Sequence, residues 1–500
     1  MDYVSEKNEE FPATLLGDYV LIYKKRSKTL LVSDHIRSIP LFYGLHKGHC
    51  FVTDNLNKYQ KEHGKLKIDN NKLEEYVASG FVYGNNTIYH DAFGLQAGEM
   101  ICIFENEIKS KRYFEYKPAK KTFSIDNIYE FSNMLDKAFR SIFSRMIEQT
   151  PSVNRWIIPL SGGHDSRIIV NYLYLLGKKN VICFSYGTPN NEQARISKQV
   201  AEALNYEWHF TEYTEQKWQQ LHEIGIIDEY IRYAFNGVST PHLQDFLAVY
   251  EMNKKGIIKP GDVFVPGHTL DFIAGGHYGY QDIESDNKYK AVKRTYLRHS
   301  RIRDSSQDPV RTIEAIYEKA NVEPQHFQEY FNWQERQAKF IVNSIRAYEH
   351  FGFEARLPFW DKEIVKYWLS IQKNKLIGRN KYFEAEKCGI LTKKIVDIPF
   401  AGDKKKNLKE KRISKVKTIF PTIFINKALK MTRRKVTLDE GLNQIYTLKV
   451  KSVKDLLNPV EIFPENVKTY FQDYLQRFPY QMDYHFLTAL YTIRITMDEY

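Results

Sequence analysis

The 500-residue sequence predicts an α/β protein: a small β-rich domain, then a larger domain with a mostly parallel sheet and a helical C-terminal part. Three observations carry that expectation. Between Leu15 and about Lys111, short runs such as Tyr19-Val20-Leu21-Ile22-Tyr23 and Thr29-Leu30-Leu31-Val32-Ser33 alternate with turn residues, the pattern of a sheet. From Trp156 onward, strands alternate with helices, as they do in a parallel sheet with covering helices. From Val310 to the C-terminus the signal is mainly helical. Length argues the same way, because one hydrophobic core rarely serves 500 residues.

Taken in order, the first domain is placed at 1–118, ending in the linker Pro118-Ala119-Lys120-Lys121. A helix follows from about Ile125 to Met146, with Ile128, Phe131, Leu135, Phe139, Ile142 and Phe143 on one stripe. Trp156-Ile157-Ile158-Pro159-Leu160 is a short apolar strand that enters Ser161-Gly162-Gly163-His164-Asp165-Ser166. Ile168, Ile169, Tyr172, Leu173, Leu175 and Leu176 then take helical spacing up to Gly177, a C-terminal cap. Val181 to Tyr186 reads as a second strand, Glu192 to Leu204 as a second helix, Tyr206 to Phe210 as a third strand, and Asp262 to Val265 as a fourth. This domain is placed at 125–400, with a basic loop and helical extension over 401–500.

Composition excludes several classes. With 43% hydrophobic and 27% charged residues and no apolar run near the length of a bilayer-spanning helix, the chain is neither collagen-like, disordered nor membrane-spanning. The start lacks a basic segment leading into an apolar stretch, so no secretory signal is visible and the cytoplasm is the expected location. Cys50, Cys102, Cys183 and Cys388 lie too far apart for a metal or disulfide framework and are expected to be buried structural thiols. The net charge of +12 is local: 404–435 holds 13 basic residues and one acid, Glu410. Such a block is a solvated face, a contact for phosphate-rich ligands or a membrane-surface contact, although Pro421 interrupts any amphipathic helix there.

The chemistry concentrates at Ser161–Ser166. At a strand-to-helix turn, two glycines let backbone N–H groups approach a phosphate chain, and the helix N-terminus favours its charge. Ser161 and Ser166 add hydroxyl donors, and Asp165 makes sense as a ligand of Mg²⁺. No Gly-Lys-Ser/Thr follows, so this is not a Walker loop.

The stretch resembles the SGGxDS loop of the PP-loop ATP pyrophosphatases, an adenine nucleotide α-hydrolase-like fold, and its surroundings resemble asparagine synthetases. Tyr186-Gly187, with Asn191-Glu192 and Ala194, resembles the family's nucleotide-contacting strand end and following helix. Gly267-His268-Thr269-Leu270-Asp271-Phe272-Ile273-Ala274-Gly275-Gly276-His277 resembles its G-[DE]-G-x-D-E-x-x-G-G-Y segment, and Glu354 to Asp361 its E-x-R-x-P-F-L-D segment. The resemblance implies cleavage of ATP to AMP and pyrophosphate, with a carboxylate activated as an acyl-adenylate that an amine attacks. It places ATP against Leu160, Ser161, Gly162, Gly163, Asp165, Ser166, Tyr186, Gly187, Pro266 and Gly267, and Mg²⁺ on Asp165 and Asp271.

The departures shape the expectation. His268 stands where the family has the acid associated with forming the aspartyl-adenylate, and Phe272 replaces a Glu, which puts aspartate in doubt as the substrate. An imidazole there could orient a carboxylate. The family's pyrophosphate-neutralising base falls near Lys404, with Lys405, Lys406 and Lys381 as competitors. The first domain resembles the second half of a class II glutamine amidotransferase domain, through Leu16-Gly17-Asp18-Tyr19-Val20, Asp34 to Tyr43 and Phe51-Val52-Thr53-Asp54. That family's reactive thiol is an N-terminal Cys; here no Cys precedes Cys50, so a truncated domain without glutaminase activity is expected.

These readings predict an AMP-forming carbon–nitrogen ligase using ATP and Mg²⁺, joining a sugar-acid, peptide or aspartate carboxylate to ammonia or an amine. A separate amidotransferase or a second copy is the expected partner, and no nucleic acid. The competing readings are a catalytically degenerate remnant acting as a partner-binding subunit, and a PP-loop RNA-modifying enzyme with the 404–435 block as its RNA contact.

Overall fold

Alternating apolar and polar residues near the start of the chain pair into two antiparallel sheets. In a computed structural model of the protein, residues 11–104, 107–300, 308–401 and 484–497 are described. The first domain contains β1 (Val20–Lys25), β2 (Lys28–Ser33), β3 (Phe42–His46), β4 (His49–Thr53), β5 (Ala92–Gly94), β6 (Glu99–Phe104) and β7 (Glu107–Arg112). They order as β1-β2-β6-β7 and β4-β3-β5. Lys47 and Gly48 join β3 to β4 with φ of 53° and 80°, the paired positive values a two-residue hairpin turn demands.

The expected linker is not a free tether. Ala119 N–H donates to Leu369 O at 2.9 Å and Phe123 N–H to Ser370 O at 2.9 Å, so backbone bonds stitch this segment to the second domain. The helix Ile128–Glu148 follows, capped by the Asn127 side chain, which accepts from the N–H groups of Tyr129 and Glu130. Its predicted stripe, including Phe131, Leu135, Phe139, Ile142 and Phe143, is buried. Burying each such side chain fully contributes about 1.5–3 kcal/mol.

Five parallel strands form the second domain's sheet: β8 (Trp156–Pro159), β9 (Val181–Gly187), β10 (Glu207–Glu212), β11 (Val263–Phe264) and β12 (Glu354–Ala355). Their order is β10-β9-β8-β11-β12. From β8 the chain steps outward to β9 and β10, then crosses back to β11, so the order reverses between β8 and β11. In open parallel sheets, ligands bind at such a reversal, beyond the carboxyl ends of the strands. Strand β12 escapes sequence reading because two residues show no period.

The domains share core. Ile36, Ala97 and Tyr116 from the first pack into the main cluster of the second, and Tyr116 stacks on Trp333 with centroids 4.7 Å apart. The helix Tyr484–Met497 contributes Ala489, Leu490 and Ile493 to a cluster with Val77 and Phe235. The expectation of buried cysteines holds only for Cys183. Cys102 is half-buried, and Cys50 and Cys388 are exposed. Cys50 lies two residues past a hairpin turn and Cys388 one past the helix Asn380–Lys387, where little covers them. No described helix is long and apolar enough to cross a membrane.

Candidate active site

β8 stops at Pro159, and the helix Asp165–Leu175 begins across a turn that its own serines hold. Ser161 N–H donates to Ser166 Oγ at 3.1 Å, the two hydroxyl oxygens lie 3.1 Å apart, and Gly163 N–H donates to Ser161 Oγ at 3.1 Å. Leu160 N–H donates to Phe184 O at 2.9 Å, tying the turn to β9, which ends in Tyr186 and Gly187. Gly162 is required by packing, since a Cβ there would lie 2.9 Å from Ala401 Cβ and 3.2 Å from Gln193 Cα.

The second loop leaves β11 and lies across the start of that helix. A Cβ on Gly267 would meet Ser166 N at 2.8 Å and Asp165 C at 3.1 Å, so only glycine allows the approach. Thr269 takes φ 76°, an outlier for a β-branched residue that costs about 1–3 kcal/mol, and its hydroxyl is fixed on Gln337 Oε1 at 2.8 Å. Asp271 N–H donates to Asp165 Oδ2 at 3.0 Å, joining the two loops. Gly275 and Gly276 then admit a third segment: a Cβ on Gly275 would fall 2.1 Å from Leu376 O, and one on Gly276 3.1 Å from Arg379 Cδ.

Each acid has a nitrogen partner. Arg379 Nη2 donates to Asp165 Oδ1 at 2.6 Å, and its guanidinium lies 4.6 Å from the Tyr382 ring centre and 5.3 Å from that of Phe383. His277 Nε2 lies 3.2 Å from Asp271 Oδ2, while its Nδ1 accepts from the Asn332 amide at 3.1 Å, which puts the ring proton on the Asp271 side. Burial pushes the Asp165 carboxyl above the ordinary carboxylate range against the pull of Arg379. Burial acts upward on Asp271 too, but the His277 hydrogen bond, with the charges of Arg379 and Arg336, holds it low.

His268 pairs with Ser344, Nε2 to Oγ at 2.9 Å. The single Ser344 proton goes to Ile341 O at 2.7 Å, so Ser344 accepts from His268 and the imidazole keeps Nδ1 as its basic nitrogen. Burial lowers the His268 pKa, with Asp245 and Asp271 acting against it, so the ring is neutral near pH 7. Tyr186 spends its hydroxyl on Asp245 at 2.6 Å and stacks on Tyr213; Tyr348 donates to the other Asp245 oxygen.

The structure thus brings Leu160, Ser161, Gly162, Gly163, Asp165, Ser166, Gly267 and Asp271 to one place, with Pro266 buried at the strand end. Lys404 lies outside the described residues, as does the 404–435 block. The described chain approaches the loop just before it: Ala401 N–H donates to Gly162 O at 2.9 Å, and Phe400 sits between His164 and the Arg167 guanidinium. The competitor Lys381 is engaged by Glu384 at 2.6 Å. Sequence reasoning missed Arg379, His277, Ser344 and Asp245. Two of them had a signal: His277 closes the Gly267–His277 segment, and Arg379 is a basic residue directly after a glycine and near Lys381.

A serine-lined loop at a helix N-terminus, with two carboxylates held together at the reversal point of a parallel sheet, is the arrangement that suits a nucleotide-binding enzyme. The family model described as Asparagine synthase matches residues 155–384, and that described as Glutamine amidotransferase domain matches residues 1–114. Together the two matches support an asparagine synthetase family protein and, in general terms, an ATP-dependent amide-forming ligase. No curated protein matches it.

Proposed function

We infer that this chain adenylates a carboxylate with ATP, releases pyrophosphate, and passes the acyl group to ammonia or an amine. The observation that supports this reading most directly is the Asp271 N–H bond to Asp165 Oδ2, which holds two carboxylates beside the serine loop at a helix N-terminus. Among the described residues no group of three or more His, Cys, Asp or Glu could hold a metal alone. Two carboxylates completed by substrate phosphates are instead the usual setting for Mg²⁺. Asp165 and Asp271 would hold that ion, which would offset the negative charge of the phosphate chain.

An oxygen of the acid attacks the α-phosphorus, the α–β phosphoanhydride bond breaks, and pyrophosphate leaves with the electron pair. The amine nitrogen then attacks the acyl carbon, AMP departs, and the amine proton passes to His268 Nδ1. A neutral imidazole fixed by Ser344 suits that role, which an acid at this position would fill differently. Phe272 is fully buried beside Tyr116 and Trp333 and offers no charge to the acid. Sugar acids, peptide acids and aspartate remain the substrate classes to compare. Free ammonia or an amine is the nitrogen source in this reading. The reading places the reaction in the cytoplasm.

Exchange of labelled pyrophosphate into ATP, run over a pool of amino acids, uronic acids and peptide acids, tests the reading. It expects acid-dependent exchange without any amine present. Binding of ATP with no exchange for any acid would refute adenylation, and absence of ATP binding would favour a non-catalytic subunit.

A further inference from the structure

Resting on that adenylating reading, we propose that Arg379 holds the β- and γ-phosphates of ATP and neutralises pyrophosphate as it departs, the role the sequence pattern assigns to Lys404. Four observations converge on it. Its guanidinium lies at the meeting point of all three site segments, bonded to Asp165 Oδ1 at 2.6 Å from the first turn of the phosphate-loop helix. Its side chain is buried, 8% exposed, yet Nε has no hydrogen-bond partner. A buried guanidinium normally satisfies its donors, so an unmade bond there is a place for an incoming acceptor.

The backbone points the same way. Gly378 and Arg379 take φ of 60° and 64°, two successive left-handed residues, the second one not glycine. Gly275 and Gly276 hold this conformation by leaving room for Leu376 O and the Arg379 stem. Strain of this kind persists where the surroundings enforce it, and a surface ion pair with Asp165 would not require it. Finally, the Tyr382 and Phe383 rings lie within cation–π distance of the guanidinium and brace it, and its planar fork matches phosphate oxygens in a way a lysine ammonium cannot.

In the step itself the bond between the α-phosphorus and the bridging oxygen breaks, the electron pair stays on that oxygen, and the developing negative charge falls on the β-phosphate. A fixed cation beside it lowers the barrier without rearrangement. Arg379 exchanges its bond to Asp165 for phosphate oxygens and leaves Asp165 free to face the metal.

Titration calorimetry on the full chain with inorganic pyrophosphate, ATP and AMP as separate probes tests the proposal. Arg379→Gln is expected to weaken pyrophosphate and ATP binding at least about tenfold while AMP binding stays within about twofold. Unchanged pyrophosphate affinity, or an equal loss for AMP, would overturn it, the latter marking a purely structural role. Should that variant not fold, Asp165→Asn in metal-free buffer serves instead: removing the negative charge that holds Arg379 should tighten pyrophosphate binding, and unchanged or weaker binding would contradict the proposal. A wild-type chain that binds neither ATP nor pyrophosphate would sink the adenylating reading itself, whereas acid-dependent exchange with an unaffected Arg379→Gln would sink only Arg379.

Discussion

Asp271 N–H donates to Asp165 Oδ2 at 3.0 Å while Arg379 occupies Asp165 Oδ1, so one carboxylate orders the second loop and anchors the third. An isosteric amide can satisfy only one of these two donors. Asp165→Asn should therefore cost about 1–3 kcal/mol of stability, read by urea unfolding, while the protein still folds. Its pyrophosphate release should fall at least about a hundredfold, because the charge that would hold Mg²⁺ beside the phosphates is gone.

Gly267 and Gly177 separate two kinds of glycine requirement. A Cβ at Gly267 meets backbone of Ser166, which cannot swing away, whereas at Gly177 nothing lies within 4 Å and only φ 75° opposes a side chain. Gly267→Ala should destabilise by about 1–3 kcal/mol and abolish ATP binding. Gly177→Ala should cost about 1 kcal/mol and leave ATP affinity intact, as measured by calorimetry.

Ser344 fixes which nitrogen of His268 is basic. Ser344→Ala removes that acceptor, so the imidazole samples both tautomers and presents Nδ1 as a base only part of the time. Amide formation should drop about tenfold and pyrophosphate exchange should be unaffected, because the loss lies after adenylation. An equal fall in both rates would place His268 in the first step instead.

Stability should fall on mild acidification. Burial, with the Lys373 charge, lowers the His326 pKa from 6.5 to about 4. The unfolded chain then binds the proton more readily than the folded one, so this contribution is fully present above about pH 6.5 and is lost as pH falls toward 4. Between pH 7.5 and 5 the loss amounts to about 2 kcal/mol, and His326→Gln should remove that part of the pH dependence in urea titrations.

Much of this was legible in the sequence, for stated reasons. The stripe Phe131 to Phe143 has a helical period, Gly177 a capping position, and Ser161–Ser166 a glycine pair between strand and helix; each became the element expected. Gly267, Asp271, Gly275 and Gly276 resembled a family segment, and their spacing matched the loop that lies on Asp165. What escaped depends on distant contacts. Arg379 lies 214 residues beyond Asp165, Ser344 76 beyond His268, and no local pattern joins either pair. The expectation for Tyr186 was local and correct in placing it at a strand end, yet Asp245, far along the chain, takes its hydroxyl. The expected burial of Cys50 failed because its strand lies at the open rim of a hairpin, a property of the tertiary arrangement.

On the proposed reading, ATP is cleaved between its α- and β-phosphates on behalf of a carboxylate. The most direct measurement is the nucleotide product formed from Mg-ATP by the purified chain with an accepted acid and ammonia or an amine, beside the Asp165→Asn control. AMP and pyrophosphate are expected in amounts equal to the amide formed, with at least about a hundredfold less from the control. ADP and phosphate as the products would contradict it.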